Sequence, residues 1–322
     1  MVMMNTTGLT SPTPHSVSPF FPARQHEYNH WRDTKLYGYP KHKADLMVAV
    51  EDPGNLTQNE ARALQSICAK TNFAIYVTKN KNNIDKNTIR NFCSALGLIR
   101  LDSHLYAAAD GVSAIEVSEN RRQGEYIPYT KQRIRWHTDG YYNVSSRQIR
   151  GMLLHCVNPA SKGGDNMLLD HEIAYILTRD ENPAFIKALM QPDALTIPAN
   201  IIEGKVIREA VTGPVFSVDP QNGTLHMRYS ARQRNVEWKQ DNKTMEAAEF
   251  LQNLWNNPPK YVFHHKLKAG QGLLSNNILH GREAFEDDRG SSSRLLYRVR
   301  AYDRITGTDT RPDTMASGKI QS

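Results

Sequence analysis

The sequence predicts a mostly β protein with flanking helices, in the α+β class, whose core is a double-stranded β-helix, also called a jelly roll. Three observations lead to this fold class. From residue 112 onward the chain is a series of short β-branched and apolar segments separated by turn residues. Apolar residues at helical spacing occur in only a few segments. No internal repeat, glycine-rich phosphate loop, dinucleotide-binding fingerprint or nucleophile elbow is present.

The first hundred residues mix helices and strands. Asp45–Val50 is predicted to be a short strand, and Phe73–Thr78 is rich in the β-branched and aromatic residues that favour strands. Between them, Thr57 and Glu60 form the Ser/Thr-x-x-Glu capping pattern that starts a helix. Lys86–Leu98 repeats apolar residues at helical spacing and is predicted to be a second helix.

The rest of the chain alternates predicted strands with a few helices. Asp170 can cap a helix over His171–Thr178, and Asn182 precedes a proline at the first position of another helix. Thr244–Trp255 has an apolar stripe that indicates packing against a core. The predicted strands are Val112–Val117, Gly151–Val157, Ala194–Ala199, Pro214–Val218, Thr224–Tyr229, Tyr261–His265, Leu273–Asn277 and Arg294–Tyr302.

A length of 322 residues allows two domains of ordinary size, but a decorated jelly roll of this length often forms one domain. Residues 1–35 begin with a segment rich in Ser, Thr and Pro, and we predict that they form a mobile N-terminal tail. Residues 36–322 are predicted to form a single domain. Its jelly-roll core is expected at about residues 110–303, with helical insertions.

Composition excludes several classes of protein. The chain is 39% hydrophobic and 23% charged, which is typical of globular proteins rather than disordered or fibrous ones. No apolar run approaches the roughly 18 residues of a membrane helix, and Met1–Ser18 lacks the apolar stretch of a secretory signal. Three scattered cysteines predict no disulfide framework and a reduced, cytoplasmic location. Homo-oligomers are compatible with the sequence, which has no feature that fixes the stoichiometry.

The formal net charge of +7 allows two explanations. One is a nucleic-acid-binding protein, but the basic residues are dispersed and no known nucleic-acid-binding module is recognisable. The other is that part of the charge belongs to a site for small anions. We therefore expect a small-molecule substrate, with neither nucleic acid nor a membrane as a partner.

The segment from Arg135 to Gly140 is the sharpest local feature. On a strand, residues i and i+2 face the same side, so His137 and Asp139 would present an imidazole and a carboxylate together. An apolar strand further along the chain ends in His280, which would supply a second imidazole. Two histidines and one carboxylate form the facial triad that leaves coordination positions open and suits non-haem Fe(II). A cupin-like hydrolase or isomerase with zinc or manganese is the alternative for the same three residues.

A third segment, Arg294–Arg300, is basic on one face. On a strand the odd-numbered residues form an apolar face, whereas Arg294, Arg298 and Arg300 share the other. If this face lines the inside of the roll, its guanidinium groups need anionic partners, because an unpaired buried charge is very costly. A guanidinium matches a carboxylate with two parallel hydrogen bonds. An outward-facing basic strand is the alternative.

These three segments, in this order and spacing, resemble the TauD/TfdA family of Fe(II)- and 2-oxoglutarate-dependent dioxygenases. The resemblance covers roughly residues 110 to 303. It lies in the His-x-Asp pair, the late segment around His280-Gly-Arg, and the Arg-x-x-x-Arg strand that follows. The resemblance implies a jelly-roll enzyme that uses Fe(II), 2-oxoglutarate and O₂ and releases succinate and CO₂.

The resemblance also implies roles for individual residues. His137, Asp139 and His280 correspond to the iron ligands of the family. Arg298 corresponds to the arginine that clamps the distal carboxylate of 2-oxoglutarate, with Arg294 as a helper. The family has Thr after Gly-Gly-Asp as a ligand of the co-substrate, whereas the residue here is Asn166, whose amide can also donate a hydrogen bond. Relatives that halogenate lack the carboxylate of Asp139, so its presence implies hydroxylation or a related oxidation.

Two groups of residues are candidates for contact with the primary substrate. Tyr141, Tyr142 and Asn143 directly follow the predicted metal ligands, so at least one is expected to face the pocket. Arg228 and Tyr229 lie in a cluster of Arg and Tyr residues, in a region where relatives place substrate contacts. Both groups have a structural alternative, as core packing or as an ordinary strand end. The substrate is expected to be a small polar metabolite.

Overall fold

The computed structural model describes residues 18–80, 84–102, 111–117, 127–232, 236–288 and 293–309. Six α-helices lie in these ranges, and each of α2 to α6 begins after a Thr, Asp or Asn residue whose side chain accepts a hydrogen bond from the first turn. They are α1 (Gln25–Leu36), α2 (Gln58–Thr71), α3 (Lys86–Ala95), α4 (His171–Glu181), α5 (Pro183–Leu189) and α6 (Asn242–Asn256).

Nineteen strands lie in the described ranges, most of them three to eight residues long. In chain order they are β1 (Met47–Val50), β2 (Phe73–Thr78), β3 (Val112–Ile115), β4 (Ile134–His137), β5 (Gly151–Asn158), β6 (Lys162–Gly163), β7 (Asn166–Leu169), β8 (Leu195–Ile197), β9 (Asn200–Ile202), β10 (Lys205–Arg208), β11 (Val211–Gly213), β12 (Phe216–Val218), β13 (Leu225–Met227), β14 (Glu237–Trp238), β15 (Phe263–His265), β16 (Gln271–Ser275), β17 (Leu279–Arg282), β18 (Phe285–Glu286) and β19 (Leu295–Ala301).

Two sheets form the core. The larger has the order β1-β2-β16-β5-β19-β3 and the smaller has the order β15-β7-β17-β4. Side chains from both sheets share one hydrophobic cluster; for example, Phe73 of β2 meets Phe263 of β15 with ring centroids 5.9 Å apart. Neighbouring strands are antiparallel except for β1 and β2. Two facing sheets of this kind, flanked by helices, confirm the predicted jelly roll.

The local predictions match the structure closely where the sequence pattern is strong. Thr57 and Glu60 form the predicted capping box of α2, and β2 has the predicted bounds. Strand β16 ends at Ser275, two residues before the predicted end, because Asn277 adopts a left-handed backbone conformation with φ of 53°. That residue contributes to the site described below.

The prediction of a mobile tail over residues 1–35 is wrong for the part that the structure describes. Residues 25–36 form α1, whose Tyr28 and Lys35 are buried. Before this helix, Phe20 is fully buried against Tyr175 and Trp31. The few aromatic residues of an otherwise polar segment provide the apolar contacts that hold it in place. Residues 1–17 lie outside the described ranges, and the single domain over 36–322 stays a prediction.

Among the described residues, no helix is both long enough and apolar enough to cross a bilayer.

Candidate metal centre and active-site cavity

The structure brings the three predicted metal ligands together. His137 ends β4 and lies directly opposite His280 of the neighbouring strand β17, with their ring centroids 4.3 Å apart. Asp139 follows two residues later, in the turn after β4. One ligand atom from each of the three residues lies within 4.8 Å of the other two. The residues are therefore close enough to hold one ion.

Hydrogen bonds fix the orientation of both imidazoles. His137 Nδ1 lies 2.9 Å from the main-chain oxygen of Arg135, and His280 Nδ1 lies 3.0 Å from that of Ile278. A carbonyl oxygen only accepts, so each Nδ1 carries the proton and each Nε2 presents a lone pair. The two Nε2 atoms lie 3.4 Å and 3.9 Å from Asp139 Oδ1. This is the arrangement in which main-chain oxygens orient histidine ligands of a metal.

The protonation states also suit a metal. Burial, together with the neighbouring His137, lowers the pKa of His280 to about 4, so this imidazole is neutral near pH 7. Burial alone would raise the pKa of Asp139, but Arg298 and the two histidines lower it well below its usual value. The Oδ2 atom of Asp139 is buried and has no hydrogen-bond partner among the described residues. Two imidazoles that present Nε2 and a carboxylate whose Oδ2 has no hydrogen-bond partner among the described residues fit a divalent ion such as Fe(II).

A turn of unusual geometry holds Asp139 in place. Asn277 donates from Nδ2 to the main-chain oxygens of Asp139 and Ile149, at 2.9 Å and 2.7 Å, and its Oδ1 accepts from the Asp139 N–H at 2.8 Å. Gly140 has a φ of 67°, and a Cβ atom there would lie 2.4 Å from Ile149 Cγ1. The turn therefore requires glycine at this position. Asn277, which the sequence analysis did not select, ties the turn to the strand of His280.

A cavity of about 890 Å³ opens onto the metal ligands. The predicted substrate residues Tyr141, Tyr142 and Asn143 all line it. Among the described residues, its charged lining is strongly cationic, with twice as many arginines as carboxylates. The arginines are Arg135, Arg147, Arg208, Arg232, Arg298 and Arg300, and the carboxylates are Asp102, Asp139 and Glu209.

Arg298 and Arg300 both face the cavity, as expected from their shared strand face. Arg298 Nη1 lies 3.5 Å from Asp139 Oδ2, next to the metal ligands. Arg300 forms an ion pair with the buried Asp102 and donates to the Tyr142 hydroxyl at 2.7 Å. The basic face of β19 therefore points inward, and Arg300 already has a carboxylate partner.

Arg294 and Asn166, which were also predicted to bind 2-oxoglutarate, line a second, much smaller cavity. Arg294 is buried, its guanidinium lies 4.9 Å from the ring centre of Phe285, and burial lowers its pKa to about 10. Asn166 donates to the main-chain oxygen of His265 at 3.1 Å. Lys266 lines the same cavity. The three residues predicted for the co-substrate thus occupy two neighbouring places.

Arg228 and Tyr229, which were predicted to contact the substrate, do not line the cavity. Arg228 is 5% exposed and donates to main-chain oxygens, among them those of Leu195, Gly213 and Pro214. Tyr229 is 2% exposed and packs against Trp255 with ring centroids 5.6 Å apart. Arg228 ties loops together and Tyr229 belongs to the core.

Four cavity arginines, Arg135, Arg147, Arg208 and Arg232, were not among the site residues predicted from the sequence, although Arg232 ends the cluster that contains Arg228 and Tyr229. Arg135 could have been predicted from the sequence, because it lies two residues before His137 and strand alternation puts both on one face. Arg208 and Arg232 lie in segments that are far from the metal ligands in sequence. They come to the site through strand pairing and a loop, which the sequence does not reveal.

Sequence comparisons identify related proteins. A profile of the "Taurine catabolism dioxygenase TauD, TfdA family" matches residues 39–300. A uridine-5'-phosphate dioxygenase from an Amycolatopsis species is 33% identical over 171 residues, which are 50% of this chain and 58% of that protein. Another, from a Streptomyces species, is 30% identical over 199 residues, which are 60% of this chain and 70% of that protein. The match thus spans little more than half of the first relative.

Solved structures share the fold at low sequence identity. Non-heme iron oxygenase OrfP, in complex with Fe, succinate and (3S)-hydroxy-L-Arg, has a TM-score of 0.57 at 13% identity, covering 77% of this chain and 82% of that one. AAD-2, in complex with Mn(II) and N-oxalylglycine, has a TM-score of 0.56 at 15% identity, covering 81% and 96%. Asparagine oxygenase has a TM-score of 0.53 at 12% identity, covering 77% and 85%. Together with the profile match and the geometry of the triad, these results place the chain in the TauD/TfdA family of Fe(II)- and 2-oxoglutarate-dependent dioxygenases.

Proposed function

We propose that this chain is an Fe(II)- and 2-oxoglutarate-dependent dioxygenase that hydroxylates a small phosphorylated nucleoside of the uridine-5'-phosphate type, with release of succinate and CO₂. Family membership and the His137, Asp139 and His280 triad support the enzyme class. The names of the two curated relatives suggest the substrate. The observation that carries the proposal is the excess of arginines in the cavity that opens onto the triad.

The metal ligands have the properties that this reaction needs. Bound iron supplies the oxidising chemistry that couples O₂ and 2-oxoglutarate to hydroxylation of the substrate. His137 and His280 would hold the ion through Nε2, and the main-chain oxygens on their Nδ1 atoms keep the rings from rotating. Asn277 keeps the main chain of Asp139 fixed, so its carboxylate stays aimed at the ion.

The two arginine positions suggest how 2-oxoglutarate is oriented. Arg298 touches a metal ligand, so it lies beside the end of the co-substrate that chelates the metal. Arg294 lies four residues earlier, just before β19, and lines the smaller cavity together with Asn166. Asn166 pairs with Arg282, two residues beyond His280. The two-residue step from His280 to Arg282 spans about 6.6 Å along the strand, which is roughly the length of 2-oxoglutarate, a five-carbon diacid. We assign the distal carboxylate to Arg294 and Asn166, which reverses the roles predicted for Arg294 and Arg298.

Charge in the main cavity favours an anionic substrate. Arginines outnumber carboxylates two to one along its lining. Fe(II) and the dianion of 2-oxoglutarate carry opposite charges of equal size, so binding of both leaves the positive excess unchanged. Asp102 is already paired with Arg300, and Asp139 is a metal ligand. A phosphate monoester dianion would offset most of this positive excess, and the rings of Tyr141 and Tyr142 offer aromatic surface to a planar base.

The hydrolase or isomerase alternative uses the same triad but has no use for a buried cation beside a small polar cavity. Arg294 and the family match therefore favour the dioxygenase. The buried, unpaired cysteines Cys68, Cys93 and Cys156 are consistent with the proposed cytoplasmic location. A homo-oligomeric state and the lack of nucleic-acid partners also stay predictions.

The proposal is tested by measuring succinate formation with Fe(II), 2-oxoglutarate and O₂ in the presence of candidate substrates. The panel contains uridine-5'-phosphate, other nucleoside 5'-phosphates, uridine, and the amino acids arginine and asparagine. We expect nucleoside 5'-phosphates to stimulate succinate formation far more than the uncharged nucleoside or the amino acids. Stimulation by an amino acid alone would overturn the substrate class, and no 2-oxoglutarate turnover with any compound would overturn the enzyme class.

A further inference from the structure

We propose that Arg135 and Arg232 form the subsite that binds the phosphate of the substrate. This inference rests on the proposed function and names the residues that recognise the anionic group. It concerns residues outside the metal triad and outside the positions assigned above to 2-oxoglutarate.

Strand pairing puts the two arginines side by side. The segment from Tyr229 runs antiparallel to β4: the Thr138 N–H donates to the Tyr229 oxygen at 3.0 Å, and the Ala231 N–H donates to the Trp136 oxygen at 2.8 Å. His137 is therefore opposite Ser230. Extending this register by two residues places Arg232 opposite Arg135. Both arginines lie on the face that carries His137, and both line the main cavity.

Two like charges directly opposite each other on neighbouring strands repel, so this pair does not serve the stability of the fold. No carboxylate of the described residues forms an ion pair with either guanidinium. The Arg232 guanidinium lies near the Tyr141 hydroxyl and acts against the rise in the pKa of Tyr141 that burial causes, and both residues line the cavity. A dianionic phosphate between the two arginines would remove the repulsion and accept hydrogen bonds from both.

Other cations of this region have partners that explain their presence. Arg133 lies two residues before Arg135 on the same segment and forms an ion pair with Glu283 at 3.4 Å. Arg300 is paired with Asp102, and Arg298 contacts Asp139. Arg135 and Arg232 line the cavity with no carboxylate partner among the described residues, so a ligand can supply their anion.

The position of the pair relative to the metal suits a phosphate monoester. Arg135 precedes the metal ligand His137 by two residues, a rise of about 6.6 Å along a strand. The Tyr141 ring also faces this cavity, with its centroid 6.4 Å from that of the His137 ring. A phosphate held by Arg135 and Arg232 would therefore put the carbon atoms nearest to it in the part of the cavity next to the metal ligands. The subsite thereby determines which part of the substrate is oxidised.

The test is steady-state kinetics of Arg135→Gln and Arg232→Gln with uridine-5'-phosphate and with uridine, each followed by succinate formation. Charge-assisted hydrogen bonds to a phosphate predict a KM for uridine-5'-phosphate that is roughly 10- to 100-fold higher in each variant. For uridine, which lacks the phosphate, the variants and the wild type should have equal KM values. The KM for 2-oxoglutarate should change much less than that for uridine-5'-phosphate.

Arg133→Gln is the matched control, since it removes a neighbouring arginine whose partner is Glu283, and its KM for uridine-5'-phosphate should equal that of the wild type. Arg232→Lys is a second variant that keeps the charge and loses the planar fork, so it should show an intermediate KM. Inorganic phosphate should compete with uridine-5'-phosphate in the wild type and compete less well in Arg232→Gln. Melting temperatures report whether each variant is folded.

The possible failures are distinguishable. If uridine-5'-phosphate and other phosphorylated nucleosides do not stimulate the wild type, the proposed substrate class is wrong. If they do, and folded Arg135→Gln and Arg232→Gln keep the wild-type KM, the phosphate is bound elsewhere and the inference is wrong. Equal losses for uridine and its phosphate would also contradict it, because the arginines would then act on the ring or the fold.

Discussion

Two buried groups of charged side chains differ in whether the protein itself completes their contacts. Where α1 docks, Lys35 Nζ lies 2.7 Å from Asp170 Oδ2 and 2.5 Å from Glu172 Oε2, and Asp170 Oδ1 accepts from Asn72 Nδ2 at 2.9 Å. At the metal centre, Asp139 Oδ2 is buried with no hydrogen-bond partner among the described residues. Both imidazole Nε2 atoms there point at the same space. The first group holds elements together, and the second is complete only with a bound ion.

The largest expected effect comes from removing a metal ligand. Asp139→Ala or His280→Ala should lower the rate of 2-oxoglutarate turnover at least roughly 1000-fold, because the ion would lose one of three protein ligands. Fe(II) binding, measured anaerobically, should weaken in parallel. His264→Ala is the control, since His264 is exposed on β15, away from the triad. Wild-type turnover in Asp139→Ala or His280→Ala would show that the unpaired ligand atoms of this group do not bind the catalytic metal ion.

Removing Lys35 from the buried group where α1 docks should lower the stability of the fold and leave the chemistry unchanged. Lys35→Met leaves Asp170 and Glu172 buried without their cation, which predicts a loss of about 3–5 kcal/mol in the free energy of unfolding. Urea denaturation measures this loss, and Lys187→Met, at an exposed position of α5, should stay within about 0.5 kcal/mol of the wild type. The KM for 2-oxoglutarate of the folded fraction should not change. A change in the KM for 2-oxoglutarate with no loss of stability would contradict the purely structural role of the Lys35 group.

Replacing the arginines assigned to 2-oxoglutarate should have an effect of intermediate size on the kinetics. Arg294→Ala should raise the KM for 2-oxoglutarate roughly 10- to 100-fold, because it removes charge-assisted hydrogen bonds to the distal carboxylate. Arg298→Ala, beside Asp139, should mainly lower kcat. Initial rates at varied 2-oxoglutarate concentration separate the two. A larger increase in KM from Arg298→Ala would restore the roles predicted from the sequence.

A smaller effect concerns pH and buried histidines that lie outside the metal centre. Burial lowers the pKa of His155 and of His171 to about 4 in the folded state, below the usual value near 6.5. Below pH 6.5 the unfolded chain binds more protons than the folded one, so stability falls as the pH drops from 6.5 toward 4. Each histidine contributes at most about 1.4 kcal/mol per pH unit.

Urea denaturation of His155→Gln at pH 7 and pH 5 tests this contribution. The glutamine can keep a hydrogen bond to the Tyr76 hydroxyl, which lies 3.0 Å from His155 Nδ1, but cannot take up the proton. The variant should therefore lose less stability between the two pH values than the wild type. An equal loss in both proteins would show that His155 does not contribute to the acid sensitivity.

The sequence predicts the parts of the site that are local and misses those that depend on strand pairing. His137 and Asp139 are two residues apart, and His280 lies in a recognisable segment, so all three could be named. Arg228 looked similar to a site residue, but its main-chain partners come from loops that the sequence does not place. Arg232 reaches the cavity only because its segment pairs with β4. Helix α1 was missed because most of its residues are polar and its buried contacts come from distant segments.

The most direct test of the account is a reaction under isotopically labelled dioxygen, with Fe(II), 2-oxoglutarate and uridine-5'-phosphate. We predict that one labelled oxygen atom appears in succinate and that label is transferred to the substrate, with no turnover when O₂ or Fe(II) is withheld. Conversion of the substrate without O₂, or succinate that carries no label, would contradict the assignment of His137, Asp139 and His280 to a 2-oxoglutarate-dependent dioxygenase.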